Sequence, residues 1–188
     1  GLDRVHLLGN SLGGRIALEL AKRHRGRSVV TIAPSGMGLP PERAYQGAVM
    51  GSSRILMRAV RPLIRPLSAV RAGRGLLLAG LRSRPMDATP VEARTMEGGF
   101  AGSRRFWDTL WWAVLSDLPS GLERIDCPVI LAQGTADLIA VGQTPRYLAA
   151  VPTARFVPLL GAGHAPQSDA PAAILQLVRQ ATTQARPA

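Results

Sequence analysis

Residues 4–32 carry a short apolar run, a glycine-rich turn, an amphipathic stretch and a second apolar run, in that order, and this succession leaves the chain few folds. Val5-His6-Leu7-Leu8 closes at Gly9 and reads as a buried strand. Ile16, Leu18, Leu20 and Ala21 interleave with Arg15, Glu19, Lys22 and Arg23 in a helical pattern that stops near Gly26. Val29, Val30 and Ile32 mark a second buried strand over Ser28 to Ile32, ended by the turn Pro34-Ser35-Gly36. Strand, helix and strand in about thirty residues make a βαβ unit, whose crossover sets the strands parallel.

The same texture returns at Cys127. Pro128 to Ala132 reads as a buried strand, followed by the turn Gly134-Thr135-Ala136-Asp137. A helix is expected from Gln143 to Ala150, a strand from Arg155 to Leu159, and a last helix from Pro171 to Thr183. Between Gly38 and Asp126 the pattern holds only helical stretches broken by proline and glycine. The expected organisation is therefore an α/β core built from residues 1–37 and 127–188, with a helical insertion over 38–126.

The insertion has two marked features. Arg54, Arg58, Arg61 and Arg65 fall near one helical face, with Leu56, Val60, Leu63 and Leu67 largely off it, and we read them as a solvated face. Trp107, Leu110, Trp111, Val114 and Leu115 follow i, i+3, i+4 spacing on another helix. Trp107 and Trp111 are the expected walls of an apolar pocket, although such a stripe serves a plain core equally well.

Composition excludes several classes. Hydrophobic residues make up 46% of the 188, enough for a core and too many for intrinsic disorder. The single cysteine excludes a disulfide framework and any cysteine-based zinc site. No apolar run approaches the roughly 20 residues of a membrane span. The net charge of +11 is carried almost entirely by arginine, a bias that GC-rich coding produces, so it is no argument for nucleic acid. A nucleic-acid binder would also interleave its aromatics with the basic residues, and here they cluster on an apolar helix.

The chemistry concentrates in three turns. Gly9-Asn10-Ser11-Leu12-Gly13 is a G-x-S-x-G between strand and helix. A serine in so sharp a turn takes a strained backbone that lifts its hydroxyl above the sheet, and Gly9 and Gly13 are expected to be small for that reason. The next amide, that of Leu12, lies at a helix N-terminus and can donate to a developing oxyanion. Ser11 as a mere helix cap is the bland alternative. A serine nucleophile needs a base. His164 sits in a glycine-rich turn directly after the last strand, whereas His6 lies within a strand and His24 in the charged end of a helix. The base in turn needs a carboxylate, and Asp137 follows its strand at the same sheet edge. Asp126 precedes its strand, Asp117 and Glu123 belong to the insertion, and Asp169 is placed to cap the last helix.

Ser11, Asp137, His164 is a chain order tied to one fold. On the stretches 5–14, 133–137 and 161–166 the sequence resembles the α/β-hydrolase superfamily, and the likeness runs over nearly the whole chain. The resemblance implies Ser11 as nucleophile, His164 as base, Asp137 as orienting acid, and residues 38–126 as the variable helical cap of those enzymes. It implies a partial fold as well: a parallel half-sheet corresponding to strands five to eight, with the N-terminal strands missing. The second oxyanion-hole amide, from an HG-type loop, is then missing from the chain too, a loss worth about 3 kcal/mol in serine hydrolases. The chain is accordingly expected to be a fragment with an exposed apolar edge at its first strand.

The expected activity is cleavage of a small, largely apolar ester or acyl compound without cofactor or metal. Asn10 is an expected substrate contact, and the elbow wording is similar to that of C–C bond hydrolases of the meta-cleavage type, which use the same triad. A serine at position 11 argues against the aspartate-nucleophile chemistry of dehalogenases and epoxide hydrolases. A non-catalytic binding protein on the same fold is the alternative from another class. The expected partner is a small-molecule substrate, with no nucleic acid and no stable membrane insertion, in the cytoplasm; the oligomeric state stays open.

Overall fold

The structure is a computed structural model that describes residues 2–185. Four strands, β1 (Val5–Asn10), β2 (Gly26–Ile32), β3 (Val129–Gly134) and β4 (Ala154–Leu159), form one sheet in the order β1-β2-β3-β4. Every neighbouring pair is parallel, so all four strands deliver their carboxyl ends to one edge. The β-branched and apolar runs at Val29–Ile32 and Val129–Ala132 occupy the two central strands, where both faces are covered.

Helix α1 (Leu12–Lys22) makes the first crossover and lays Ala17, Leu18 and Ala21 on one face of the sheet. Tyr147 and Val151, at the end of α7 (Gln143–Ala150), complete that layer with Val29, Val129 and Leu131. On the other face, Ile174, Leu177 and Ala181 of α9 (Pro171–Gln184) pack against Val30, Ile32, Ile130 and Ala132. β1 is an edge strand, and its outer face is open: Leu8 is 54% exposed.

Residues 38–126 contribute α2 (Pro40–Ala59), α3 (Ile64–Ala69), α4 (Arg71–Leu77), α5 (Pro90–Gly102) and α6 (Phe106–Leu115). Their apolar cluster of Met57, Ile64, Leu77, Leu78, Ala93 and Ala101 is separate from the two on the sheet. Helix α5 starts at a reciprocal cap in which the Glu92 amide donates to Thr89 Oγ1 and the Thr89 amide to the Glu92 carboxylate, with Pro90 in the first turn.

The arginine face does not form as expected. α2 stops at Ala59, a 3-10 turn follows at Arg61–Leu63, and α3 begins afresh at Ile64, so Arg54 to Arg65 do not share one helix. Pro62, without an N–H, cannot continue the α2 ladder. Arg54 also points inward. Its guanidinium donates to the carbonyls of Phe100 and Ser103 at the C-terminus of α5, and stacks on the Phe106 ring at 5.1 Å. Arg58, Arg61 and Arg65 are exposed, as expected of a solvated face, and Ile55, Leu56 and Leu63 are exposed beside them. The tryptophan helix differs in a related way: only Leu110 of α6 is buried. Among the described residues no helix is long and apolar enough to cross a membrane. The short α8 (Pro166–Asp169) leads from the turn after β4 into α9.

Candidate active site

Ser11 occupies the single position between the last residue of β1 and the first of α1, at φ 53° and ψ −116°. That backbone is costly for a residue with a Cβ and persists only where its surroundings hold it. Here the Ser11 amide donates to Ile32 O at 2.8 Å, while Ser11 O accepts from the amides of Arg15 (3.1 Å) and Ser35 (3.2 Å). The side chain makes no capping bond to α1, so the hydroxyl is not consumed by the helix. Leu12, the first residue of α1, presents its N–H among the unpaired donors of the helix N-terminus.

The glycines of the elbow divide their work differently from the sequence expectation. A Cβ on Gly9 would stand 2.1 Å from the Gly13 carbonyl oxygen, so position 9 must be glycine. A Cβ on Gly13 would meet nothing within 4 Å, whereas one on Gly14 would stand 2.4 Å from Thr31 Oγ1. The second steric demand therefore falls on Gly14, which is the residue of α1 that faces β2 and the Pro34 turn.

Asp137 lies in the turn after β3 with its side chain wholly buried. Its Oδ1 accepts from the amides of Ile139 (2.8 Å) and Ala140 (3.2 Å), and its Oδ2 lies 3.0 Å from Nδ1 of His164. Burial by itself drives this carboxyl up. The bond to His164, aided by the two amides, outweighs burial and holds Asp137 below the usual carboxylate range. An ionised Asp137 keeps the imidazole proton on Nδ1, which leaves Nε2 as the nitrogen open to proton transfer.

The elbow and the histidine turn are joined directly. The Asn10 side-chain amide donates to His164 O at 3.1 Å and to Ile32 O at 3.3 Å. Both of its N–H groups thus serve the scaffold, a different role from the substrate contact expected of it. The imidazole of His164 is hydrogen-bonded to Asp137, and no hydrogen bond joins it to the Ser11 hydroxyl in this structure.

The other two histidines have structural partners. His6 Nδ1 lies 2.8 Å from Ser28 Oγ. His24 meets Asp126, which also pairs with Arg4 near the amino end of the sheet. Trp107 packs edge-on to Phe106 and lies over Gly51, half-buried, while Trp111 is exposed. Trp112 is exposed too, at 49%, with the Arg15 guanidinium 4.4 Å over its ring. Gln143, fully buried, accepts from the amides of Gly36 and Met37 and so fixes the chain where it leaves β2 for α2. Nothing in the sequence singled it out, because its partners lie more than a hundred positions away.

A model of the alpha/beta hydrolase family matches residues 1–177. Epoxide hydrolase EphH of Mycobacterium tuberculosis is 30% identical over 189 residues, which span 95% of this chain and 86% of that protein. Among solved structures, the enol-lactonase of Burkholderia xenovorans LB400 superposes with a TM-score of 0.68 at 22% identity, over 97% of this chain and 66% of the other. The 2-hydroxy-6-oxo-6-phenylhexa-2,4-dienoate hydrolase of Rhodococcus sp. strain RHA1 gives 0.64 at 21% identity, over 96% and 66%. The chain spans about two thirds of the length of these two structures.

Proposed function

The chain belongs to the alpha/beta hydrolase family, and from that membership we propose that it carries the acyl-transfer site of a serine hydrolase acting on a small, largely apolar ester or acyl compound. One observation carries the reading: Ser11 is held at a strained strand-to-helix turn with its hydroxyl unused by the helix, beside a buried His164–Asp137 pair at the same sheet edge.

In this reading Ser11 Oγ attacks the substrate carbonyl while His164 Nε2 takes its proton. Asp137 holds the ring by Nδ1 and stabilises the imidazolium that forms. The Leu12 N–H lies where negative charge develops on the carbonyl oxygen. His164 then returns the proton to the leaving group, and water resolves the acyl-enzyme by the same relay. Residues 38–126 act as the cap that selects the substrate.

The Mycobacterium tuberculosis relative, an epoxide hydrolase by name, raises epoxide opening as an alternative. Serine in place of a carboxylate at position 11 speaks for the acyl route. The deciding experiment is covalent labelling by a fluorophosphonate. Stoichiometric labelling of the wild type, abolished in Ser11→Ala and strongly slowed in His164→Ala, is the expected result. Equal labelling of Ser11→Ala would overturn the assignment.

A further inference from the structure

Asp169 has no place in the mechanism above, yet its side chain is only 2% exposed and three donors converge on it. Oδ2 accepts from the amide of Gly163 at 2.8 Å and from the amide of Ser83 at 2.9 Å, and Oδ1 accepts from Arg82 Nε at 3.1 Å. Gly163 immediately precedes His164, whereas Arg82 and Ser83 belong to the turn after α4 in the helical segment. The role expected of Asp169, capping the last helix, is not the one it takes: α9 starts from Ala170 with no side-chain cap.

The two turns touch over several residues. The Ala165 amide, on the other side of His164, donates to Leu81 O at 2.9 Å. A Cβ on Gly163 would come within 2.8 Å of that same Leu81 oxygen and 2.9 Å of Ser83 N. Arg82 Nη2 also reaches Ser168 O at 2.9 Å, and its guanidinium lies 3.6 Å from Glu92 at the start of α5. The backbone on both sides of His164 is therefore fastened to residues 81–83, and the Asp169 carboxylate, paired with the Arg82 guanidinium, is the acceptor that both turns share.

We propose that Asp169 is a positioning residue for His164, which locks the histidine turn onto the 81–83 turn and so makes the aim of the imidazole depend on how the helical segment is seated. The inference rests on the assignment of Ser11 and His164 as nucleophile and base. A carboxylate suits the place because it accepts two amides on one oxygen and a guanidinium on the other. An asparagine keeps the two amide bonds only by turning its own NH2 towards Arg82, donor against donor. Reaction geometry is sensitive to such a change: a displacement of about 1 Å costs on the order of a hundredfold in rate.

The test compares wild type with Asp169→Ala, Asp169→Asn and Arg82→Met, all in the full chain. Two readouts are taken: the fluorophosphonate labelling rate per folded molecule as a function of pH, and the proton resonance of the His164 Nδ1–H that faces Asp137. The expected result is a labelling rate about tenfold to a hundredfold lower in Asp169→Ala. Its pH midpoint is displaced, and the Nδ1–H resonance is broadened or moved. Asp169→Asn and Arg82→Met show the same changes to a smaller degree. A merely structural role would lower the melting temperature while leaving the rate, its pH midpoint and the resonance as they are, and that outcome overturns the proposal. Should Asp169→Ala fail to fold, wild-type rates and spectra in the other two variants overturn it equally. If the Ser11 assignment itself fails, Ser11→Ala labels like wild type, while the His164 resonance still reports on Asp169.

Discussion

The side-chain amide of Asn10 donates to the backbone carbonyl of His164 at 3.1 Å, across 154 positions of the sequence. This bond closes the distance between the elbow at one end of the chain and the histidine turn at the other. With its second N–H on Ile32 O, Asn10 ties the ends of β1 and β2 to the turn after β4 at the edge where Ser11 emerges.

Asn10→Ala removes both bonds and leaves two carbonyls without that donor. We expect a loss of about 1–3 kcal/mol in stability, at about 0.5–1.5 kcal/mol for each of the two bonds, read from urea unfolding. The labelling rate falls with it. If Asn10 acted only as a substrate contact, stability would be unchanged and the KM for a turned-over ester would carry the whole effect.

Asp137 gives a prediction about acid. Its folded-state carboxyl lies below the unfolded value of about 3.9, so its stabilisation is fully present above that pH and is lost as the pH falls through the lower folded value. Urea midpoints measured downward from about pH 5 should drop steeply for wild type below about pH 4. Asp137→Asn should start less stable and show a shallower drop. Parallel curves for the two proteins would show that the pair contributes nothing to folding.

Glu97 titrates the other way. It is 2% exposed on the inner face of α5, and burial raises its carboxyl to about 7. Below about pH 4.5 it is protonated in both states and carries no penalty. The cost of ionising it in the folded protein grows as the pH rises from there to about 7 and is complete above that. Glu97→Gln should therefore match wild type near pH 4.5 and exceed it by up to about 3 kcal/mol above neutrality, at about 1.4 kcal/mol per pH unit. Thermal melts across that range check it, and a constant difference between the two proteins contradicts it.

The glycines of the elbow separate cleanly by substitution. Gly9→Ala drives a methyl group into the Gly13 carbonyl and should abolish labelling together with the native fold of the elbow. Gly13→Ala meets open space and should be neutral, or gain up to about 1 kcal/mol from helix propensity. Gly14→Ala should fall between, since Thr31 Oγ1 can rotate away while the Pro34 backbone at 3.2 Å cannot. Circular dichroism melts of the three variants rank them.

Local chemistry was legible in the sequence where the physics is local. Apolar runs of four or five residues gave the four strands within two residues of their observed ends. The G-x-S-x-G wording placed a strained serine at position 11 because only glycine permits so close a return of helix on strand. Helical spacing failed where proline cut α2 from α3, and where arginine proved a better partner for helix carbonyls than for water.

What the sequence determined alone was the parallel α/β succession, the insertion between β2 and β3, and the edge at which Ser11, Asp137 and His164 emerge, since strand direction and chain order settle these. The tertiary structure decided which side chains serve that edge. Asn10, Gln143 and Asp169 each satisfy backbone groups brought to them by packing, and the buried amides and carbonyls they meet differ in no way from any others until the chain has folded. A hydrogen bond leaves its signature in sequence when both partners lie within one turn or one helix end, as in the Thr89–Glu92 cap. These three span gaps across which geometry alone supplies the partner.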